Sequence, residues 1–320
     1  MTTSAATLTR TRKRGDRLGD GVLYALTAAA SVVGVLVVAA IVWRVADGAW
    51  PAIKVFHLAF IWHNDWNPVT SRFGARDLII GTVVTSFGAM LLAAPLSIGI
   101  GLFLSELAPR SVRGPIGTLI EMLAAVPSVV VGLWGIYVLA PFDAQHVQPF
   151  LSSFLGWIPI FAHGQDKVES TVFTAIIVLT IMTIPITSSI CRELFLGVPT
   201  ELEEGAIGLG ATRWEMVKTV VVPAVRGGVV AAVILGLGRA LGEAIAVTQV
   251  IGNFTPLKTS IFTPGDTLAS RVANQYQGAP SNLAVSSLIY LALILLVITL
   301  VANLAAQRVV KRFEFQRTGE

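Results

Sequence analysis

The chain has 320 residues, 54% of them hydrophobic and only 13% charged, with a mean hydropathy of +0.74. Soluble domains carry about twice that charged fraction, so a freely soluble protein is excluded. The net charge of +4 reads as a topology signal rather than as an affinity for nucleic acid.

Crossing a hydrocarbon core takes about 20 apolar helical residues, and six stretches qualify. A basic tail, residues 1–21, holds Arg10, Arg12, Lys13, Arg14 and Arg17 and precedes the apolar block Val22–Trp43. That block of 22 residues is long for a cleaved signal peptide and no small-x-small site follows at once, so residues 22–45 are expected to be a retained signal-anchor helix. An external loop, 46–77, follows with Trp50, Phe56, Phe60, Trp62, Trp66 and Phe73. Such rings settle at the headgroup interface or form a docking surface for an extracytoplasmic partner. The second span lies in the uncharged run Leu78–Leu104 and leads through a short loop to the third, between Glu121 and Asp143, which starts a few residues before Glu121. After an outer segment, 143–170, the fourth span fits between Glu169 and Arg192. A cytoplasmic loop, 191–226, precedes the fifth span, Gly227–Ile251. An outer segment, 252–281, precedes the sixth, Leu283–Ala305, and the chain ends in a tail, 306–320. The blocks lack sustained two-residue alternation, so membrane strands are not expected. The fold class is an all-α integral membrane protein, one helix followed by a five-helix core over 78–305.

Lys and Arg fix the expected orientation. Fifteen fall in the tails and the two loops on one side, and seven, from Arg44 to Arg271, on the other. The positive-inside rule then places both termini in the cytoplasm. The single cysteine, Cys191, excludes an internal disulfide and a cysteine-built metal site, and its place at the edge of the fourth span suggests a packed or interfacial thiol. His57, His63, His146 and His163 all fall in outer segments and no aspartate lies in a predicted span, so no intramembrane hydrolase is expected.

Two features carry the function. In the loop 191–226, Thr200-x-x-Glu203 and Thr212-x-x-Glu215 have the spacing of capping boxes. Gly208 and Gly210 permit a corner between two short helices, the second ending near Pro223. Leu202, Ile207, Leu209, Trp214, Met216 and Val217 are expected to pack the hairpin. In the fifth span, Arg239 and Glu243 interrupt an otherwise apolar run, and in one continuous helix they share a face. A charge at mid-bilayer costs roughly 2.5–3.5 kcal/mol, against about 0.3–0.5 kcal/mol returned by an exposed i,i+4 pair. Arg239 is therefore expected to meet an anion on a polar path, the alternative being a self-neutralising pair. Gly238-x-x-x-Gly242 allows close approach of another helix. Pro127 and Pro185 lie within spans three and four, where Thr183, Thr187, Ser188 and Ser189 line the path or simply bond to backbone.

The sequence Glu204-Gly205-Ala206, three residues, Gly210, nine residues, Val220-Val221-Val222-Pro223 resembles the EAA loop of ABC-importer permeases, with Gly205, Val220 and Val222 departing from its pattern. Gly238-Arg239-Ala240-Leu241-Gly242-Glu243 through Asn253 is similar to the fifth-span region of phosphate-specific transport permeases of the PstC type. Trp66-Asn67-Pro68-Val69, Phe73-Gly74-Ala75, Ala125-Val126-Pro127-Ser128-Val129 and Gly132-Leu133-Trp134-Gly135 agree. Ala244 departs from the threonine often found after this glutamate. The resemblance covers about residues 50–305. It implies a type I ABC-importer permease in the cytoplasmic (inner) membrane, surrounded by lipid, moving phosphate inward. It further implies a PstA-type permease as heterodimer partner, two copies of an ATPase subunit docked on Glu204–Pro223, and an extracytoplasmic phosphate-binding protein. The chain has no GxxxxGK[ST] phosphate loop; it is not an enzyme, and ATP and Mg belong to the partner ATPase. The path residues implied are Arg239 and Glu243, the carboxylate holding Arg239 until the anion arrives. Competing readings are a permease for molybdate or sulfate and a membrane sensor or scaffold without flux.

Overall fold

The computed structural model describes residues 14–162 and 168–315. Arg10, Arg12, Lys13, His163, Lys167, Arg317 and most of the expected basic tail lie outside the described residues. Among the described residues, six helical segments are long and apolar enough to cross a membrane. The chain divides into two compact units, Met1–Gly48 and Ala49–Glu320.

The described part of the first unit belongs to helix α1 (Arg14–Phe56), whose aliphatic side chains from Val22 to Val42 are exposed, as lipid-facing residues are. The helix overruns the expected 22–45 at both ends, passing Pro51. Hydropathy marks only its apolar stretch, whereas Arg44, Asp47 and Lys54 are acceptable helix residues that carry the backbone further.

In the second unit, the expected loop 46–77 is largely structured. α1 ends at His57, whose φ of 50° is left-handed. After α2 (Ala59–Trp62) comes a hairpin of β1 (Trp66–Asn67) and β2 (Arg72–Phe73), with Trp66 opposite Phe73. The aromatics divide: Phe60 stacks on Tyr290 at 4.5 Å and is buried, as is Phe73, while Trp50 and Trp62 are exposed.

The core rests on α3 (Arg76–Leu102), continued by a π turn Phe103–Leu107, and α8 (Val172–Leu196). On α3 the buried positions Gly81, Thr85, Ala89, Ala93, Ser97 and Gly101 recur at four-residue intervals. Such a small-residue stripe lets two membrane helices touch along their backbones. A Cβ on Gly88 would stand 2.9 Å from Ile176 Cδ1, and one on Gly101 2.9 Å from Cys191 Cβ. Cys191 is accordingly a packed, buried thiol.

Between these helices the sequence reading needs its largest revision. The loop after the second span holds a helix of its own, α4 (Arg110–Ala124), so Glu121 precedes the third span rather than lying in it. Pro127 does not kink that span; it opens it, because an N–H-free residue fits a helix start. The span then runs through α5 (Ser128–Trp134), a π turn, α6 (Ala140–Phe142), a second π turn Asp143–Val147 and α7 (Gln148–Leu155). Asp143 therefore lies inside a span, contrary to expectation. Its carboxylate accepts from Thr174 and Gln148.

Beyond α8 come α9 (Thr200–Gly208) and α10 (Arg213–Met216), which passes through a π turn Val217–Val221 into α11 (Val222–Gly242). The expected stop near Pro223 does not occur: the proline sits in the first turn after the wide π turn. The fifth span is broken at Glu243 and resumes as α12 (Ile245–Val250). The outer segment then turns at Gly252 and Asn253, both with positive φ, and forms α13 (Leu268–Gln275). It is pinned to α3 by Asp77 Oδ2, which accepts from Leu257 N at 3.0 Å, and by Thr82 Oγ1, which accepts from Leu268 N at 2.9 Å. α14 (Asn282–Phe315) completes the bundle and makes most of the expected C-terminal tail helical.

Candidate functional site

The first site is the corner between α9 and α10. Of the two expected capping boxes only one forms. Thr200 is already helical, since Pro199 occupies the cap position and offers no acceptor side chain. At Thr212 the box is complete: Glu215 N donates to Thr212 Oγ1 at 3.3 Å, and Thr212 N donates to Glu215 Oε2 at 2.8 Å. The intervening turn is a Schellman motif. Ala211 N donates to Ala206 O at 3.1 Å and Gly210 N to Ile207 O at 2.9 Å, with Gly210 at φ +90°. Gly210 is thus required by backbone conformation, whereas Gly205 faces open space. Glu203 sits closer to burial than its neighbours. Partial desolvation, then the charges of Glu106 and Glu204, push its carboxyl above the ordinary glutamate range.

The apolar residues of this corner do not all pack inward as expected. Met216 and Val217 are buried with Cys191, Phe195 and Val221. Leu202, Ile207, Leu209 and Trp214 are exposed, Leu209 at 92%. With Glu204 also exposed, the corner presents apolar side chains within a charged frame.

The second site is the break in the fifth span. Glu243 has φ −72° and ψ 116°, so the helix ends between it and Arg239 and the two no longer share a face. Among the described residues no ion pair joins them. Glu243 Oε1 instead accepts from Ala246 N at 3.4 Å, supporting the first turn of α12. The clamp expected of Glu243 is therefore not formed.

Arg239 is exposed on this chain and borders a groove of about 330 Å³. Its other walls are apolar: Leu123, Ala124 and Val126 from the α4–α5 corner, Val130, Val131 and Trp134 from α5, and Ile181 and Met182. The last two lie near the middle of α8, which sets the groove at mid-bilayer depth. The α4–α5 corner was not among the expected site residues; its signal was Pro127-Ser128, a helix start. Thr183 and Ser188 bond to the carbonyls of Leu179 and Pro185 and take the packing role. Gly238 and Gly242 do not mark a tight contact within the chain. Gly236 does, against Thr187 and Thr183. Gly132 and Gly135 likewise admit α12, a Cβ on Gly132 standing 2.9 Å from Ala246 Cα.

The family model for the binding-protein-dependent transport system inner membrane component matches residues 97–315. A phosphate transport system permease protein PstC of Pasteurella multocida is 44% identical over 281 residues, 87% of this chain and 88% of its own. The PstC of Mesorhizobium japonicum is 42% identical over 306 residues, 94% of this chain and 93% of its own. A bacterial alginate ABC transporter, crystallised with an alginate pentasaccharide-bound periplasmic protein, is alike at a TM-score of 0.55 and 21% identity. That likeness covers 94% of this chain and 99% of the other, and it shows the fold of a type I ABC-importer permease. With six spans and these relatives, the chain is a multi-pass protein of the cytoplasmic membrane and belongs to the PstC family of phosphate transport system permeases.

Proposed function

We propose that this chain is the permease subunit of an ATP-driven importer of inorganic phosphate, with both termini in the cytoplasm. The observation that carries the reading is Arg239: a guanidinium at mid-bilayer depth, exposed in an apolar groove, with no ion pair among the described residues. Facing lipid it would cost roughly 2.5–3.5 kcal/mol. Facing a path between two permease subunits, it offers phosphate two parallel N–H donors and stays charged at any physiological pH. Glu243 shapes the path by accepting from Ala246 N in the first turn of α12 rather than by neutralising Arg239. The names of the relatives, phosphate transport system permeases, support phosphate as the anion.

A PstA-type permease covers the Arg239 face and completes the path. Two copies of an ATPase subunit bind below, one of them on Leu202, Ile207, Leu209 and Trp214. Those exposed side chains have the apolar-anchor character of a docking surface. ATP and Mg are used in the ATPase, and a phosphate-binding protein delivers substrate to the outer segments.

The test is radiolabelled phosphate uptake into proteoliposomes holding the complex, enclosed ATP and external binding protein. Arg239→Gln is expected to lose ATP-dependent uptake, and sulfate and molybdate to leave native uptake unchanged. Native transport of only sulfate or molybdate overturns the substrate. Unchanged uptake by Arg239→Gln overturns the path role and favours a self-neutralised or sensor function.

A further inference from the structure

Asp143 is a carboxylate that the phosphate path does not use. It stands on the π turn Asp143–Val147 of the third span and is 2% exposed. Its Oδ2 accepts from Thr174 Oγ1 at 2.7 Å and from Gln148 Nε2 at 3.1 Å, while its Oδ1 is buried with no partner. Thr174 Oγ1 is also 3.0 Å from Thr171 Oγ1 and 3.2 Å from the carbonyl of Glu169. A hydroxyl has one hydrogen. Given to an ionised Asp143, it leaves the Glu169 carbonyl facing a bare oxygen; given to the carbonyl, it leaves the carboxylate with only the Gln148 amide as donor.

Among the described residues no positive group answers this deficit. On the same element His146 stacks on Phe142 at 4.9 Å and bonds the Phe142 carbonyl. At the start of α8, Glu169 contributes only its carbonyl, and its side chain is exposed. Among the described residues no Lys, Arg or His pairs with Asp143. A buried, uncompensated carboxylate is strongly unfavourable. The oxygens of Asp143, Thr171, Thr174 and Glu169 are the kind a small hard cation selects.

We propose that Asp143, Thr171, Thr174 and the Glu169 carbonyl form a site for one monovalent cation, a proton or a sodium ion, joining the third span to the start of the fourth. A proton on Oδ2 donates to Thr174 Oγ1 and releases the threonine hydrogen to the Glu169 carbonyl. A sodium ion takes the same oxygens as ligands. Both fill the same vacancy of charge, and neither depends on phosphate being the substrate.

Asp143→Asn is the direct test, because a neutral amide can donate to Thr174 and so imitates the filled site. Thermal unfolding of the full-length protein in nanodiscs, with the chains that co-purify with it, is followed against sodium at constant ionic strength and against pH without sodium. Sodium binding raises the native midpoint by about 5 °C at hundredfold saturation, and Asp143→Asn does not respond. Proton binding gives a sodium-independent native protein whose stability falls, relative to Asp143→Asn, as pH rises. Identical responses of the two proteins to both variables overturn the site, as does an Asp143→Asn that is less stable than native in cation-free buffer. If that variant does not fold, Thr174→Val is read in its place: a weakened cation response supports the site and an undiminished one overturns it.

Discussion

Gly236 and Thr187 touch where the fifth span crosses the fourth: a Cβ on Gly236 would stand 2.6 Å from Thr187 Oγ1. Arg239 follows three residues later, so this contact sets the height and rotation at which the guanidinium meets the groove.

Gly236→Ala is therefore expected to push α11 away at a cost of about 1–3 kcal/mol and to reduce phosphate uptake. The Thr187 hydroxyl is buried without a partner, so Thr187→Ala alone is expected to be mild. Together the two substitutions should recover much of the loss, which a double-mutant cycle on unfolding and on uptake will read.

The corner between α9 and α10 separates two glycines by mechanism. Gly210→Ala places a side chain at a left-handed φ and is expected to cost about 1–2 kcal/mol, weakening ATPase docking. Gly205→Ala meets no neighbour and is expected to add about 0.5–1 kcal/mol to α9. Thermal unfolding paired with ATPase co-purification checks both.

In the outer segment Arg271 Nε lies 2.5 Å from Asp266 Oδ2, with both side chains buried and Arg271 also set 5.5 Å over the Trp66 ring. Arg271→Met alone leaves Asp266 unpaired and is expected to cost about 3–5 kcal/mol. Adding Asp266→Asn should return a substantial part of it. Thermal melts of the two variants beside the native protein give the answer.

Glu203 gives a pH signature. Its carboxyl is raised in the folded protein by desolvation, Glu106 and Glu204. The folded state thus binds the proton more tightly than the unfolded chain, and stability is lost as pH rises through the raised value. Glu203→Gln is expected to stabilise at neutral pH by under about 1 kcal/mol, since solvent still screens this half-buried group. The gain should vanish below the ordinary glutamate range, and melts of both proteins across that interval decide it.

Much of the architecture was legible because lipid imposes one rule on side chains. The charge-free runs 78–104 and 170–191 predicted α3 and α8 closely. What hydropathy does not report is where the backbone stops bonding to itself. Arg44 ended an apolar block but not a helix. Asp143 was taken for a terminus, although Thr174 and Gln148 receive it inside a span. Pro223 was read as a stop because a π turn cannot be seen in composition. The same limit applies to the site. Arg239 stood out as a charge among aliphatic residues, and it borders the groove. Its pairing with Glu243 rested on an unbroken helix, and Gly238 and Gly242, poor helix formers, were the local sign of a weak point. The Thr200 box failed and the Thr212 box formed for a reason also written nearby: Pro199 had already taken the cap.

The gap at Glu243 has a mechanical meaning. Below it, α10, the π turn and α11 form one rod reaching from Trp214 to Arg239. Above it, α12 is wedged against Gly132 and Gly135. A rod severed from its continuation passes thrust only as far as its own tip. On the proposed reading, a push at Trp214 ends at Arg239, and α12 can stay where it is.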